Sequence, residues 1–461
     1  MSFPYADRFP INRRLPEHGR DPSEVLAELR TMATEENGTW ETGRVSGTMY
    51  CGDHDHYAFM NEAFGLFAHT NILQRDLCPS ATKMEAEVIA MALDLFHAGA
   101  VTDGEPAGLM TTGGTGSIMH AVLAMREMAA RDRGVSRPNF VMPETGHPAF
   151  GKACHLFGIE VRKAPVHPDT TQVDVAWVDA HVDDQTIGIM GSACNYGYGT
   201  VDPITELSDV ALRNGVGLHV DACLGGFILP FGQMLGLDIP LFDFRVPGVT
   251  SISADTHKYG YALKGTSTLM YRTKALRAHQ WFTYPDWPGG LYLSPGFAGS
   301  RSGGLIASTW ASLVLTGREG YLDAAERIHG AAQRMVVGIR NGIPELTVFG
   351  DPLFLVAFGS DVVDIYLVND ELKRRGWRMN ALQLPPALHF CVTRPNTATE
   401  VIDSFLADLA ASVAYATEHA GEPAQSGAMY GFGGTPQGNA TISALMAGYL
   451  DAMHETAPQA P

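Results

Sequence analysis

The sequence predicts an α/β protein built on a parallel or mixed sheet, followed by a smaller α+β unit. Three observations predict it. The middle of the chain alternates short apolar runs with segments of helical period, as strand–helix–strand crossovers do. Several runs, including Thr186–Met190 and Val249–Ala254, end in polar or glycine-bearing turns, where such sheets place ligands. The pattern changes after Gly317, where a long helical stretch, Arg318–Gly342, leads into a short mixed region. The expected division is an N-terminal segment 1–57, a large domain 58–317 and a small C-terminal domain 318–461.

Each element has its own signal. Asp21 followed by Pro22 makes an N-cap and first-turn pair for a helix over Pro22–Glu35. Gly113 and Gly114 form a turn, after which Ile118, Val122, Met125 and Ala129 recur at helical spacing. Asn139–Met142 reads as a strand. Val216, Leu218 and Val220 alternate with Gly217, His219 and Asp221, the period of another. In the C-terminal part, Ala387–Val392 follows two prolines and reads as a strand, and Ile442–His454 as a terminal helix. The closing residues TAPQAP are expected to be disordered.

Composition narrows the function. With 461 residues and 45% hydrophobic content the chain can build a large core. The formal charge of −18 and the lack of any long basic run argue against nucleic-acid binding. Any anionic substrate then needs a locally basic pocket. The six cysteines show no CxxC spacing, which suits reduced cytoplasmic thiols and neither a disulfide framework nor a metal site. No apolar run has the length of a transmembrane helix, and the polar N-terminus lacks a signal-peptide core. A cytoplasmic protein with no transmembrane segment is expected.

Four segments carry chemistry. In SISADTHKYGYALKG, Ser251–Gly265, a strand ends in a turn that presents His257 and Lys258. A lysine there suits a Schiff base with an aldehyde cofactor, provided that its surroundings favour the neutral amine. Alone, such a lysine is more often a solvated surface charge. Asp221 closes the strand in LHVDACLGG, Leu218–Gly226. A buried aspartate in that place keeps a pyridine nitrogen protonated, as pyridoxal phosphate (PLP) needs to act as an electron sink. The competing reading is a capping or salt-bridged carboxylate. TTGGTGSIMHAVLAMREM, Thr111–Met128, offers free N–H groups at a helix start and the Thr115 hydroxyl, a phosphate site. It matches neither the P-loop nor the G-x-G-x-x-G fingerprint, so NAD is not expected. In PETGHPAFGKACHLFGI, Pro143–Ile159, His147 follows a strand and has the shape to stack on a flat ring, although lone histidines are commonly structural.

Together these segments resemble the group II PLP-dependent decarboxylase and lyase family, and within it the sphingosine-1-phosphate lyases. The resemblance runs from about Arg44 to the C-terminus. It includes RVSGTMY (Arg44–Tyr50), NEAFGLFAHTN (Asn61–Asn71), KMEAEVIAM (Lys83–Met91), GSACNYGYGTVDPI (Gly191–Ile204), DWPGGLYLSPGFAGSRSGGLIASTW (Asp286–Trp310) and GWRMNALQLPPALHFCVT (Gly376–Thr393). It implies the PLP-dependent transferase fold type I, aspartate aminotransferase-like. It also implies a homodimer with shared active sites.

In that resemblance Lys258 holds PLP, Asp221 pairs with the pyridine nitrogen and His147 stacks on the ring. Gly114, Thr115 and His257 contact the phosphate. Ser300 reaches the phosphate of the neighbouring subunit's cofactor, and Asn195 and Ser192 line the cofactor's face or its 3′-oxygen. Lys264 and Tyr50 join Lys258 in the catalytic set, at the pocket for the substrate's phosphate. The implied reaction is a retro-aldol cleavage of a phosphorylated amino-alcohol lipid to a long-chain aldehyde and phosphoethanolamine. An amino-acid decarboxylase is the alternative on the same fold, and a non-catalytic PLP-binding protein a third. The chain departs from the family pattern at Gln74, where a histidine is usual, at Leu263, where a proline is usual, and at Gly116, where a glutamate is usual. Gln74 can hydrogen-bond but carries no charge, so the departures bear mainly on the substrate's polar head.

Overall fold

The computed structural model describes residues 3–427 and 436–456. Seven strands form the principal sheet: β1 (Ala107–Thr111), β2 (Asn139–Pro143), β3 (Glu160–Ala164), β4 (Thr186–Ser192), β5 (Gly217–Asp221), β6 (Val249–Ala254) and β7 (Ser267–Tyr271). Their order is β1-β7-β6-β5-β4-β2-β3. Strands β2 to β6 pair in parallel, whereas β7 runs antiparallel to both β6 and β1. The C-terminal ends of β1, β2, β4, β5 and β6 therefore share one edge with the start of β7. That mixed α/β sheet is the fold expected.

Helices follow from the connections. Three precede the sheet: α1 (Pro22–Glu41), α2 (His54–Leu66) and α3 (Pro79–Leu95). Five lie between its strands: α4 (Gly114–Arg133), α5 (Pro148–Phe157), α6 (Val175–His181), α7 (Ile204–Asn214) and α8 (Leu229–Met234). Helix α9 (Lys274–Ala278) leads into a hairpin of β8 (Phe282–Tyr284) and β9 (Tyr292–Ser294). Strand β2 shows how both sheet faces are covered. Phe140 and Met142 join Ile118, Val122 and Phe150 of α4 and α5, while Val141 joins the larger core with residues of α3 and α7. All five residues of β5 are buried. Its alternation in sequence thus does not mark a wet face, because helices lie on both sides.

A second sheet is wholly antiparallel: β10 (Thr347–Val348), β11 (Leu355–Gly359), β12 (Asn380–Gln383) and β13 (Pro386–Cys391), in the order β10-β11-β13-β12. Helices α11 (Ile365–Arg374) and α12 (Thr399–Glu418) accompany it, and α13 (Pro436–Met453) ends the described chain. The two sheets are joined by α10 (Gly303–Gly342). The linking helix expected from Arg318 starts fifteen residues earlier, with a break at Gly317 (φ 58°, ψ 176°) that only glycine adopts without strain. The first helix likewise runs six residues past the expected Glu35. Its expected cap is present, with Asp21 accepting the Ser23 N–H at 2.8 Å. Strand β4 reaches Ser192, so that residue ends the strand and does not follow it. The terminal helix begins six residues before the expected Ile442. Of the tail TAPQAP, residues 457–461 lie outside the described residues.

The N-terminal stretch after α1 belongs physically to the small sheet. Asn380 donates to Ser46 Oγ (2.8 Å), and so does the Cys391 N–H (2.9 Å). Gly47 N–H bonds Cys391 O at 2.9 Å. Behind this sheet Trp377, 1% exposed, packs against Phe390 and Phe405, and its Nε1 donates to Asp408 at 2.9 Å. Arg44 covers its ring at 5.0 Å. Trp377→Ala therefore removes a packed ring and a hydrogen bond together. We expect it to destabilise the protein by about 3–5 kcal/mol, read as a lower denaturant midpoint.

Candidate active site

The site lies where the C-terminal strand ends meet. After β6 the chain turns through Asp255, Thr256, His257 and Lys258. Thr256 Oγ1 donates to Thr266 Oγ1 (2.8 Å), and Ala262 N–H to Thr256 O (3.0 Å), closing the turn on itself. Neighbouring elements hold it. Gly260 O accepts from Ser312 Oγ (3.0 Å) and Tyr321 OH (2.9 Å), both on α10. Tyr261 O accepts from His56 Nε2 on α2 at 3.1 Å. Tyr259, fully buried, donates to Val392 O beyond β13 at 2.6 Å. The lysine turn is thereby fastened to both sheets.

Lys258 Nζ lies 2.9 Å from Asp255 Oδ2, and the Asp255 side chain is only 2% exposed. Burial is the largest single influence and works to lower the lysine's pKa, but the Asp255 carboxylate, with Cys223 and Tyr50 adding to it, opposes it and the net direction is upward. Lys258 is thus an ammonium ion in the cofactor-free chain, contrary to the neutral amine that the sequence reading asked of its surroundings. Asp255 was missed from sequence. Its signal was position alone, three residues before the lysine in a turn that brings the two side chains together. His257 is pushed below its ordinary range by burial, with Asp255 opposing, and its Nδ1 donates to Thr266 O at 2.5 Å.

Gly113 (φ +89°) caps α4, and Gly114 opens it. A Cβ on Gly114 would lie 2.7 Å from both Asp255 carboxylate oxygens and 2.9 Å from Cys223 Sγ. A Cβ on Gly113 would approach His257 Cε1 at 3.8 Å. The first turn of α4, with Thr115, therefore faces Asp255 and His257. Asp221, at the end of β5, accepts from Cys223 N–H (3.0 Å) and Ser253 Oγ (3.4 Å). Behind it His219 bonds Ser251 (2.8 Å) and Ser253 (3.1 Å), and burial pulls its pKa down to about 4. The Cys223 thiol, pushed well up by burial, is near Asp221, Asp255 and Lys258 at once. These charges thus share one neighbourhood.

Other expected residues take up distinct places. Ser192 ends β4 opposite Asp221 in the register. Asn195 follows it, accepting the Tyr198 N–H at 2.8 Å through Oδ1. His147 stands at the same edge, at the end of β2, but its Nδ1 caps α5 by accepting the Ala149 N–H (3.2 Å). Ser300 accepts from Asn71 Nδ2 (3.0 Å) and borders a cleft of about 170 Å³ with Thr111, Thr112 and Thr266. On the far side of the lysine turn, Lys264 Nζ donates to Thr48 O (2.7 Å) and lies over the Tyr50 ring at 4.8 Å. Desolvation, then repulsion from Lys258, pulls the Lys264 pKa down to about 8, with Asp255 opposing. Tyr50 is buried, which pushes its phenol well above the usual range.

The donor set fits a phosphorylated pyridine aldehyde. It offers a lysine, a buried carboxylate on an adjacent strand end, and bare backbone at a helix start. Asn195 Nδ2 and Asp255 Oδ1 are buried with no hydrogen-bond partner among the described residues. All six cysteines are free thiols, and no group of metal-ligating side chains occurs among the described residues.

Comparison with known proteins agrees. The profile described as the pyridoxal-dependent decarboxylase conserved domain matches residues 4–359. The solved structure of a Burkholderia pseudomallei sphingosine-1-phosphate lyase is 50% identical, with a TM-score of 0.93 over 99% of this chain and 100% of that one. A Drosophila melanogaster sphingosine-1-phosphate lyase is 40% identical over 96% of this chain and 81% of its own length. A Lactobacillus brevis glutamate decarboxylase, 22% identical with a TM-score of 0.76 over 90% of this chain and 97% of that one, shares the fold. The chain belongs to the pyridoxal-dependent decarboxylase family, with pyridoxal phosphate as its cofactor.

Proposed function

We propose that the chain is a sphingosine-1-phosphate lyase, a carbon–carbon lyase that releases a long-chain aldehyde and phosphoethanolamine. The observation that carries this reading is the 50% identity to the Burkholderia lyase across 99% of the chain. Lys264, held by Thr48 O and the Tyr50 ring beside the lysine turn, supports it as a cation for the substrate's phosphate. No helix among the described residues is long and apolar enough to cross a membrane.

When bound at Lys258, the cofactor supplies an electron sink for the charge left at substrate C2. Asp221 keeps the proton on the ring nitrogen, held in place by Cys223 N–H and Ser253. The first turn of α4, with Gly114, Thr115 and His257, receives the cofactor phosphate. His147, Ser192 and Asn195 would help to hold the cofactor ring. Lys264 would pair with the substrate's own phosphate and so orient the substrate, which would select the bond to be cleaved. Tyr50 keeps its proton at neutral pH and serves as a hydrogen-bond donor in the same pocket. We also propose a homodimer, in which Ser300 completes the partner's cofactor site, and a cytoplasmic location.

The decisive measurement is product analysis with purified protein, PLP and a phosphorylated sphingoid base. Long-chain aldehyde and phosphoethanolamine are expected, and neither with Lys258→Ala. Carbon dioxide from an amino acid, without aldehyde, would overturn the lyase reading. Lys264→Ala should raise KM roughly 10- to 100-fold, the worth of a hydrogen bond to a charged group, while the cofactor absorbance persists. The pH dependence has a defined sign. Lys264 binds phosphate as the ammonium, so substrate affinity should hold below about pH 8 and fall as pH rises through its pKa of about 8. In Lys264→Arg that fall should disappear from the KM profile.

A further inference from the structure

Three observations meet at Asp255. One carboxylate oxygen is 2.9 Å from Lys258 Nζ. The other is buried and has no partner among the described residues. Both lie against Gly114, where a Cβ would come within 2.7 Å of each. A single carboxylate thus pairs with the amine and packs against Gly114 at the first turn of α4. We propose that Asp255 is a latch on cofactor capture: it pairs with the Lys258 amine beside the first turn of α4 and withholds it until the cofactor displaces the carboxylate. This rests on Lys258 as the anchor, as proposed above.

The surroundings single out this pair. His257 Nε2 approaches Asp255 at 3.8 Å from the same turn. Cys223 faces it from beyond β5, while Cys194 beyond β4, Cys391 of β13, Tyr50 and Lys264 face Lys258. Burial keeps the three thiols and the phenol protonated at neutral pH. Asp255 is therefore the carboxylate that compensates Lys258, with Asp221 one strand away. Capture requires the pair to open. A proton leaves Nζ for water, the neutral nitrogen bonds to the aldehyde carbon, and the aldehyde oxygen departs as water. Until then the latched amine is also protected from other aldehydes, including the long-chain product of the proposed reaction.

The test follows PLP capture by cofactor-free protein, measured as the rate of appearance of borohydride-fixed cofactor across pH. In the wild type the rate should climb from about pH 7 to about pH 10. Asp255→Asn should capture PLP about tenfold faster near neutral pH, with its profile displaced to lower pH by about one unit, the change that corresponds to a tenfold larger amine fraction. Asp255→Ser should behave alike, which guards against a folding defect in one variant; near-ultraviolet circular dichroism checks both. Equal rates and profiles, or slower capture in both folded variants, would overturn the latch. Cofactor still fixed in Lys258→Ala would instead overturn the anchor assignment.

Discussion

A buried ammonium ion needs a negative charge beside it, and the architecture around Lys258 answers that need. Leaving one member of such a pair alone in the interior costs about 3–5 kcal/mol, so the partner's position is as constrained as the lysine's. Asp255 lies three residues earlier in the same turn, and the turn must keep a shape that brings both side chains to one point. Bonds from α2, α10 and the end of β13 hold that shape. The glycine at the start of α4 is demanded by the same pair, since any side chain there would collide with the carboxylate.

The second basic group obeys different physics. Lys264 is close enough to Lys258 to feel its charge, yet it leans on a backbone carbonyl and an aromatic face and forms no ion pair with a carboxylate among the described residues. One lysine is neutralised from within, and the other is left for an anion from outside. That asymmetry sets two lysines of one loop in different surroundings, and it leaves a local positive charge on a chain of net charge −18.

Much of this was legible in the sequence. Strand ends carry chemistry in parallel sheets, so Asp221, His147 and the turn after Ala254 could be picked out by position. The Gly113–Gly114 turn and the helical period after it located the start of α4. What escaped was tertiary. Asp255 has no motif of its own, and its role exists only once the turn folds back. The Ser251, Ser253 and His219 network behind Asp221 depends on two strands in register, which sequence spacing does not reveal. The His147 imidazole takes an additional task as a helix cap, an option that any histidine before a proline-started helix holds. Helix α10 was divided at Gly317 in the reading because a glycine looks like an ending, whereas the chain there breaks and resumes.

The segment around Ser46 has an implication for how the molecule is made. Thr48 and Tyr50, which contact Lys264, belong to a stretch whose hydrogen bonds go to Asn380 and Cys391, more than three hundred residues downstream. Contacts of such sequence separation form late, because the intervening loop must be closed first. During synthesis the large sheet can gather while this stretch, like Tyr259 of the lysine turn, has no small sheet to pair with. The contact that holds Lys264 and the bond that fastens the lysine turn to the small sheet therefore both wait for the C-terminal part of the chain.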